Sequence, residues 1–258
     1  VALITILSAC YSLNETYLQK TQSILLHSYY QGIKAAGRDL EKVIDDMDKI
    51  GKIEQWIDPY QRIHLVYENP VSNSAFPGNL TLYLNHRPQF DLYTYTTYHE
   101  SMLHGALNLA KGSFKNILIL GGGDGLLATT IKNRLPKTHL TQVELDPLMI
   151  ELASTHPSLK KLNHHSLTRG TVDKLIIGDG FHFLRQTQKT YDLIFIDFPY
   201  PYSDELLSLY SQEFYSVVKK RLSPHGMSVI DFPLTKKLTS QAKEGISTLG
   251  QRHYETLK

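Results

Sequence analysis

Four short apolar runs constrain this chain more than any other feature: NILILGG (116–122), HLTQVEL (139–145), DKLIIGD (173–179) and YDLIFID (191–197). Each has the length of a strand, and three are nearly continuous in apolar residues, as strands buried on both faces are. Helical segments lie between them. This alternation predicts a doubly wound α/β sheet of parallel strands. Three of the runs end in or beside an acid and the first ends in glycines. In such sheets ligands bind beyond the carboxyl ends of the strands, near the point where strand order reverses, so the polar residues stand where a site belongs.

The chain before residue 93 reads differently. Residues 15–57 carry apolar positions at helical spacing, with interruptions near Gly37 and Gly51, and predict helices. YQRIHLVYE and LTLYLN flank the turn-rich ENPVSNSAFPGN and predict a β-hairpin, followed by a short third strand near PQFDLY. The expected organisation is therefore a helical segment over 1–58, a small β unit over 59–92 and the sheet domain over 93–258. The opening VALITILSAC is shorter than the roughly 20 residues that cross a bilayer. It reads either as a buried helix or strand or as the end of a membrane helix.

Composition excludes several classes. Lys and Arg number 27 against 25 Asp and Glu, so no strong field attracts nucleic acid. The single Cys10 rules out an internal disulfide framework and a cysteine-rich zinc cluster. His164 and His165 are adjacent, which makes them diverge on any regular element. No metal is expected. The sequons at 14–16 and 79–81 are short enough to occur by chance.

The loop GGGDG (121–125) precedes the predicted helix LLATTIKNRL. Gly121 and Gly123 there let backbone N–H groups approach a ligand at a helix N-terminus. Glu144, 23 residues beyond Gly121, stands where an acid accepts the hydroxyls of a ribose. Asp179 ends the third strand, where it can accept from an adenine amino group. Plainer roles also fit: Asp124 and Asp179 as helix caps, and Glu144 and Asp146 as solvated loop acids. Leu126 occupies the third glycine position of a dinucleotide fingerprint, which disfavours nicotinamide and leaves an S-adenosyl sulfonium. Asp124 would repel the carboxylate of S-adenosylmethionine and pair with the lone ammonium of its decarboxylated form.

Seven segments carry a family resemblance: YQRI (60–63), QF with YHE (89–100), LILGGGDG, VELDP, GDGFHFL, YDLIFIDFP and LYSQEFY (209–215). In order and spacing they resemble the polyamine aminopropyltransferases, the spermidine synthase family, over roughly residues 60 to 233. The wording around DFP and LYSQEFY is closest to members whose synthase domain follows membrane helices. The resemblance implies a Rossmann-like sheet of the class I methyltransferase type, decarboxylated S-adenosylmethionine as donor and a small amine as acceptor. It also implies roles for single residues. Gln89 and His99 would line the donor site, with Asp124 on the aminopropyl ammonium, Glu144 on the ribose and Asp179 on the adenine. Tyr98 would border the transferring carbon, and Asp197 would be the catalytic carboxylate.

Two departures from the pattern concern the acceptor. The family motif after the last strand reads Asp-x-x-Asp-Pro, and this chain has Asp197, Phe198, Pro199, Tyr200, Pro201. Tyr200 replaces the acid that grips the acceptor amine, and offers only a ring face to a cation. Thr94 and Tyr95 replace the family's Asp-Glu pair before YHE. Asp204 and Glu205 are candidate substitutes. Three readings stay open: aminopropyl transfer with an altered acceptor site, methyl transfer from S-adenosylmethionine, and a non-catalytic nucleoside-binding domain of a membrane protein. By analogy with the family, a homodimer through the hairpin is expected, as is a location at the cytoplasmic face, tethered to the inner membrane through an N-terminal membrane region. The hairpin and the YHE helix are expected to cover the site beside Asp197.

Overall fold

A computed structural model describes residues 50–69, 78–109, 113–199 and 204–230. The chain divides into two compact units, with the boundary between Tyr95 and Thr96. The helices expected before residue 50 lie outside the described residues, as do Val1 to Cys10 and Tyr200.

The first unit holds a four-stranded antiparallel sheet in the order β1 (Ile50–Ile57), β2 (Arg62–Glu68), β3 (Asn79–Leu84) and β4 (Arg87–Asp91). β1 corrects the helical expectation for its residues. Ile50, Ile53 and Ile57 fit a helical period, but the segment is rich in β-branched residues and its backbone pairs along β2, with Trp56 opposite Ile63. Among the described residues the small β unit therefore has four strands, and it includes Ile50–Ile57, ahead of the expected start at 59. β3 and β4 are joined by two residues, Asn85 and His86, both with positive φ (48° and 65°). That is the backbone of a type I′ turn, whose twist matches that of the strands it connects.

His64 on β2 is 1% exposed and stacks on His86, the ring centroids 5.2 Å apart. Burial, followed by the neighbouring His86 and Arg62, pushes its pKa down to about 4. In the unfolded chain the ring takes up a proton near pH 6.5, whereas the folded state resists protonation until about pH 4. Stability is therefore full above pH 6.5 and is lost as the pH falls through that window, by up to ~1.4 kcal/mol per pH unit. Trp56 is the single tryptophan, so its fluorescence during urea unfolding at pH 7, 6 and 5 reports this loss. His64→Gln should flatten the dependence.

The second unit is built on five parallel strands in the order β7 (Lys174–Ile177), β6 (His139–Glu144), β5 (Asn116–Gly121), β8 (Tyr191–Asp197) and β9 (Leu222–Ile230). The four predicted strands are present. β9 was not foreseen, because Ser223, Pro224, His225 and Gly226 interrupt its apolar run. Among the described residues it lies at the edge of the sheet, where a proline is tolerated, and its register against β8 shifts between Leu222 and Met227.

Alternate residues of the central strands feed two cores. Ile117, Ile119, Leu193 and Phe195 pack with Met102, Leu103 and Ala106 of α1 (Tyr95–Leu109) and with Leu127, Ala128 and Ile131 of α2 (Leu126–Arg134). Leu118, Leu120, Ile194 and Ile196 pack on the opposite face. There they meet Leu184 of α5 (Gly180–Gln186) and Phe214 and Val218 of α7 (Gln212–Lys220). α3 (Pro147–Thr155), the short α4 (Pro157–Leu162) and α6 (Asp204–Leu207) complete the set of described helices. Among the described residues no helix is long and apolar enough to cross a membrane.

Candidate nucleoside site

Crossovers from β5 run to β6 and β7 on one side, while β8 and β9 lie on the other. The order therefore reverses between β5 and β8, where ligands of such sheets bind. There Gly121 pairs in register with Asp197. Gly121 has φ +87°, and a Cβ on it would lie 2.2 Å from the Asp197 carbonyl oxygen, so no other residue fits. A Cβ on Gly122 would stand 3.2 Å from the Asp197 carboxylate, and one on Gly123 would stand 2.9 Å from that of Glu144. The glycine loop thus passes directly between the two acids.

Asp197 is half-buried and accepts a hydrogen bond from the Tyr98 hydroxyl on α1 at 3.0 Å. The YHE helix thus reaches this acid through Tyr98. His99 is 2% exposed and meets the Tyr98 ring edge-on at 4.9 Å. The chain beyond Asp197 is anchored by the LYSQEFY segment: Phe198 packs on Phe214 at 5.9 Å, and the Tyr210 hydroxyl donates to the Pro199 carbonyl at 2.9 Å. Those residues pack, as expected, and in doing so they hold the exit of β8.

Glu144 ends β6 with its Oε1 accepting from the Asp146 N–H at 2.9 Å. Burial, reinforced by the charges of Asp146 and Asp124, pushes its pKa up to about 7. Asp146 is not a solvated loop acid: it is 2% exposed and caps α3 through the N–H groups of Leu148 and Met149. Asp179 caps α5 by accepting from the His182 N–H, and Asp124 accepts from the Leu126 N–H at 2.8 Å. Asp179 therefore fills the capping role open to it in the sequence, whereas Asp124 does not: Gly125 is the N-cap of α2, without a side-chain cap bond.

Several features escaped the sequence reading. Leu145 and Ile177, near Glu144 and Asp179 in the chain, are 44% and 54% exposed apolar residues at the ends of β6 and β7. Gln142 is fully buried, and its Nε2 donates to the carbonyls of Gly121 (3.1 Å) and Gly122 (2.6 Å), holding the loop from beneath. A polar residue inside an apolar strand is the signal that could have found it. Gln89 lies on β4 in the other unit, exposed, with its Nε2 on the Arg87 carbonyl. Asp204 and Glu205 open α6.

A parallel sheet with a glycine loop at its switch point and acids beyond successive strand ends places the second unit in the Rossmann-like α/β class. Residues 95–251 match the family model for the spermine/spermidine synthase domain. Curated relatives include polyamine aminopropyltransferase 1 of Streptomyces coelicolor, 37% identical over 191 residues, covering 72% of this chain and 35% of the relative. The polyamine aminopropyltransferase of Oceanobacillus iheyensis is 36% identical over 152 residues, covering 59% and 29%.

A crystal structure of spermidine synthase in complex with the transition state analogue AdoDATO superimposes with a TM-score of 0.59 at 22% identity, covering 70% of this chain and 57% of that one. The spermidine synthase of Thermotoga maritima gives 0.56, again at 22% identity, with 72% and 57% covered. The chain belongs to the spermine/spermidine synthase family. It spans about a third of the length of the curated relatives it matches, and its Rossmann-like fold is that of the solved spermidine synthases.

Proposed function

We propose that this chain transfers an aminopropyl group from decarboxylated S-adenosylmethionine to an amine. The observation that carries the reading is the Asp197 carboxylate, held by Tyr98 at 3.0 Å and set against the glycine loop at the switch point. Glu144 accepts from the ribose hydroxyls, Asp179 from the adenine amino group, and Asp124 pairs with the donor's ammonium. Leu145 and Ile177 supply apolar surface for the base.

An alkylammonium with a pKa of about 10 is not a nucleophile. Asp197 orients the acceptor and takes up a proton from its ammonium, and the freed electron pair of the nitrogen then attacks the carbon beside the sulfonium. The C–N bond forms and the C–S bond breaks. Its electron pair passes to sulfur, giving the neutral thioether methylthioadenosine. The protein's main contribution is to hold the two reactants in line.

The acceptor is not a standard polycationic amine. Thr94, Tyr95 and Tyr200 stand where the resembling motifs carry acids, and each missing carboxylate forfeits a charge-assisted bond worth roughly 1.5–3 kcal/mol. Isothermal titration with decarboxylated S-adenosylmethionine, S-adenosylmethionine and methylthioadenosine, followed by mass spectrometry with an amine panel, tests the reading. Preference for the decarboxylated donor with an aminopropylated product supports it. Tighter binding of S-adenosylmethionine would point to methyl transfer, and binding without any product to a domain that has lost the reaction.

Nucleoside affinity should also depend on pH. A ribose diol donates hydrogen bonds and needs Glu144 ionised, so with a pKa of about 7 the dissociation constant of methylthioadenosine should tighten roughly tenfold from pH 6 to pH 8. A flat profile would remove Glu144 from the site.

A further inference from the structure

The HHS turn that follows α4 has no part in the chemistry above, yet it is bonded to the loop that carries Asp124. His164 and His165 both adopt left-handed backbone, with φ of 51° and 63°. Side chains disfavour that conformation, and it persists only where surrounding bonds over-determine it. Asn163 and Ser166 supply those bonds. Asn163 is completely buried; its Nδ2 donates to the carbonyls of Asp124 (2.9 Å) and Ala153 (2.8 Å), and its Oδ1 accepts from the His165 N–H (3.0 Å). Ser166, 1% exposed, donates its hydroxyl to the Gly125 carbonyl at 2.8 Å.

The turn lies directly on the glycine loop. Gly125 has φ +78°, and a Cβ there would fall 2.5 Å from the Ser166 Oγ and 3.3 Å from the Asn163 Nδ2. The last glycine of GGGDG is therefore required by the turn as much as by a ligand. Two successive carbonyls, those of Asp124 and Gly125, are pinned by buried side-chain donors. Among the described residues only the Leu126 N–H binds the Asp124 carboxylate, so the placement of that carboxylate is set by the backbone the turn holds.

We infer that the Asn163–Ser166 turn determines donor specificity: by fixing the carbonyls of Asp124 and Gly125 it places the Asp124 carboxylate to pair with a lone ammonium on the ligand. Asn163 and Ser166 are positioning residues, acting through Asp124. The inference rests on the nucleoside reading of the site proposed above. Loosening the loop costs the ligand that uses Asp124 and largely spares one that does not. Methylthioadenosine has the adenine and ribose but no ammonium, so the ratio of the two affinities isolates the effect.

The test is isothermal titration of wild type, Ser166→Ala and Asn163→Ser with decarboxylated S-adenosylmethionine and with methylthioadenosine, each protein first checked by thermal unfolding. Loss of a charge-assisted contact predicts that the variants bind the decarboxylated donor ~10-fold more weakly. Methylthioadenosine should weaken by less than about threefold, since its contacts with Glu144 and Asp179 remain. A merely structural role would lower both affinities together. If Asn163→Ser does not fold, Ser166→Ala decides alone. A folded Ser166→Ala with the wild-type affinity ratio overturns the inference while leaving the nucleoside site intact. A wild type that binds neither compound overturns the site reading and the inference with it.

Discussion

Asp197→Asn lowers aminopropyl transfer by roughly 10³- to 10⁴-fold, the upper range for loss of a positioned acid–base group, while methylthioadenosine binding stays within about threefold of wild type. The substitution keeps the shape of the side chain and an oxygen to accept from Tyr98, now 3.0 Å away. It removes only the charge and the capacity to take a proton. An acceptor amine held by an amide is oriented less strongly and stays protonated, so attack on the carbon beside sulfur fails at the step that needs a free electron pair. The nucleoside contacts proposed above lie elsewhere, at the ends of β6 and β7. Product formation followed by mass spectrometry, with calorimetry on the same preparations, separates the two effects. Unchanged turnover would take the catalytic role away from Asp197.

Glu144→Gln makes the folded protein more stable and the nucleoside site weaker. Folded Glu144 keeps its proton up to about pH 7, whereas the unfolded side chain releases it near pH 4.5. Between those values the folded state binds the extra proton, so stability falls as the pH rises through the window, and above pH 7 the full penalty of the buried charge is present. The neutral amide avoids that penalty, worth roughly 3 kcal/mol at pH 8. In a domain of this size that raises Tm by several degrees. The cost falls on binding: an amide accepts from one hydroxyl with a neutral oxygen where a carboxylate accepts from two, so methylthioadenosine affinity should drop on the order of 100-fold. Thermal unfolding at pH 5 and pH 8 checks the first half, since the stability gain should vanish at the lower pH. Titration checks the second. A variant that is no more stable at pH 8 would mean that the Glu144 charge is not desolvated in the fold.

The pairing of higher stability with lower affinity explains why an acid would persist at such a position. The charges of Asp146 and Asp124, close to Glu144 at one edge of the sheet, add to the cost of ionising it. On the function proposed above, the donor's ammonium and ribose relieve that cost when they bind.

The apolar runs at 116–122, 139–145, 173–179 and 191–197 were legible because strands buried on both faces leave an almost unbroken apolar signature. Their acids were legible for the same reason, as the sole charges at strand ends. β1 was misread, since Ile50, Ile53 and Ile57 satisfy a helical period as well as a strand pairing, and only β2 beside it decides between them. β9 was missed because a serine, a proline and a glycine hide a strand whose hydrogen bonds are supplied by β8.

What the sequence by itself determined was the chemistry on offer: a glycine loop after the first predicted strand, an acid at or beside the ends of the other three, and a tyrosine and histidine on the helix before the sheet. Those follow from residue type and spacing, which act over a few residues. The tertiary structure decided which groups meet. Tyr98 and Asp197 are 99 positions apart and share a hydrogen bond; Asn163 and Ser166 reach back about 40 positions to Asp124 and Gly125; Gln142 supports the glycines from the neighbouring strand. Such contacts depend on parallel register and crossover direction, which close loops of many residues and leave no local period in the chain.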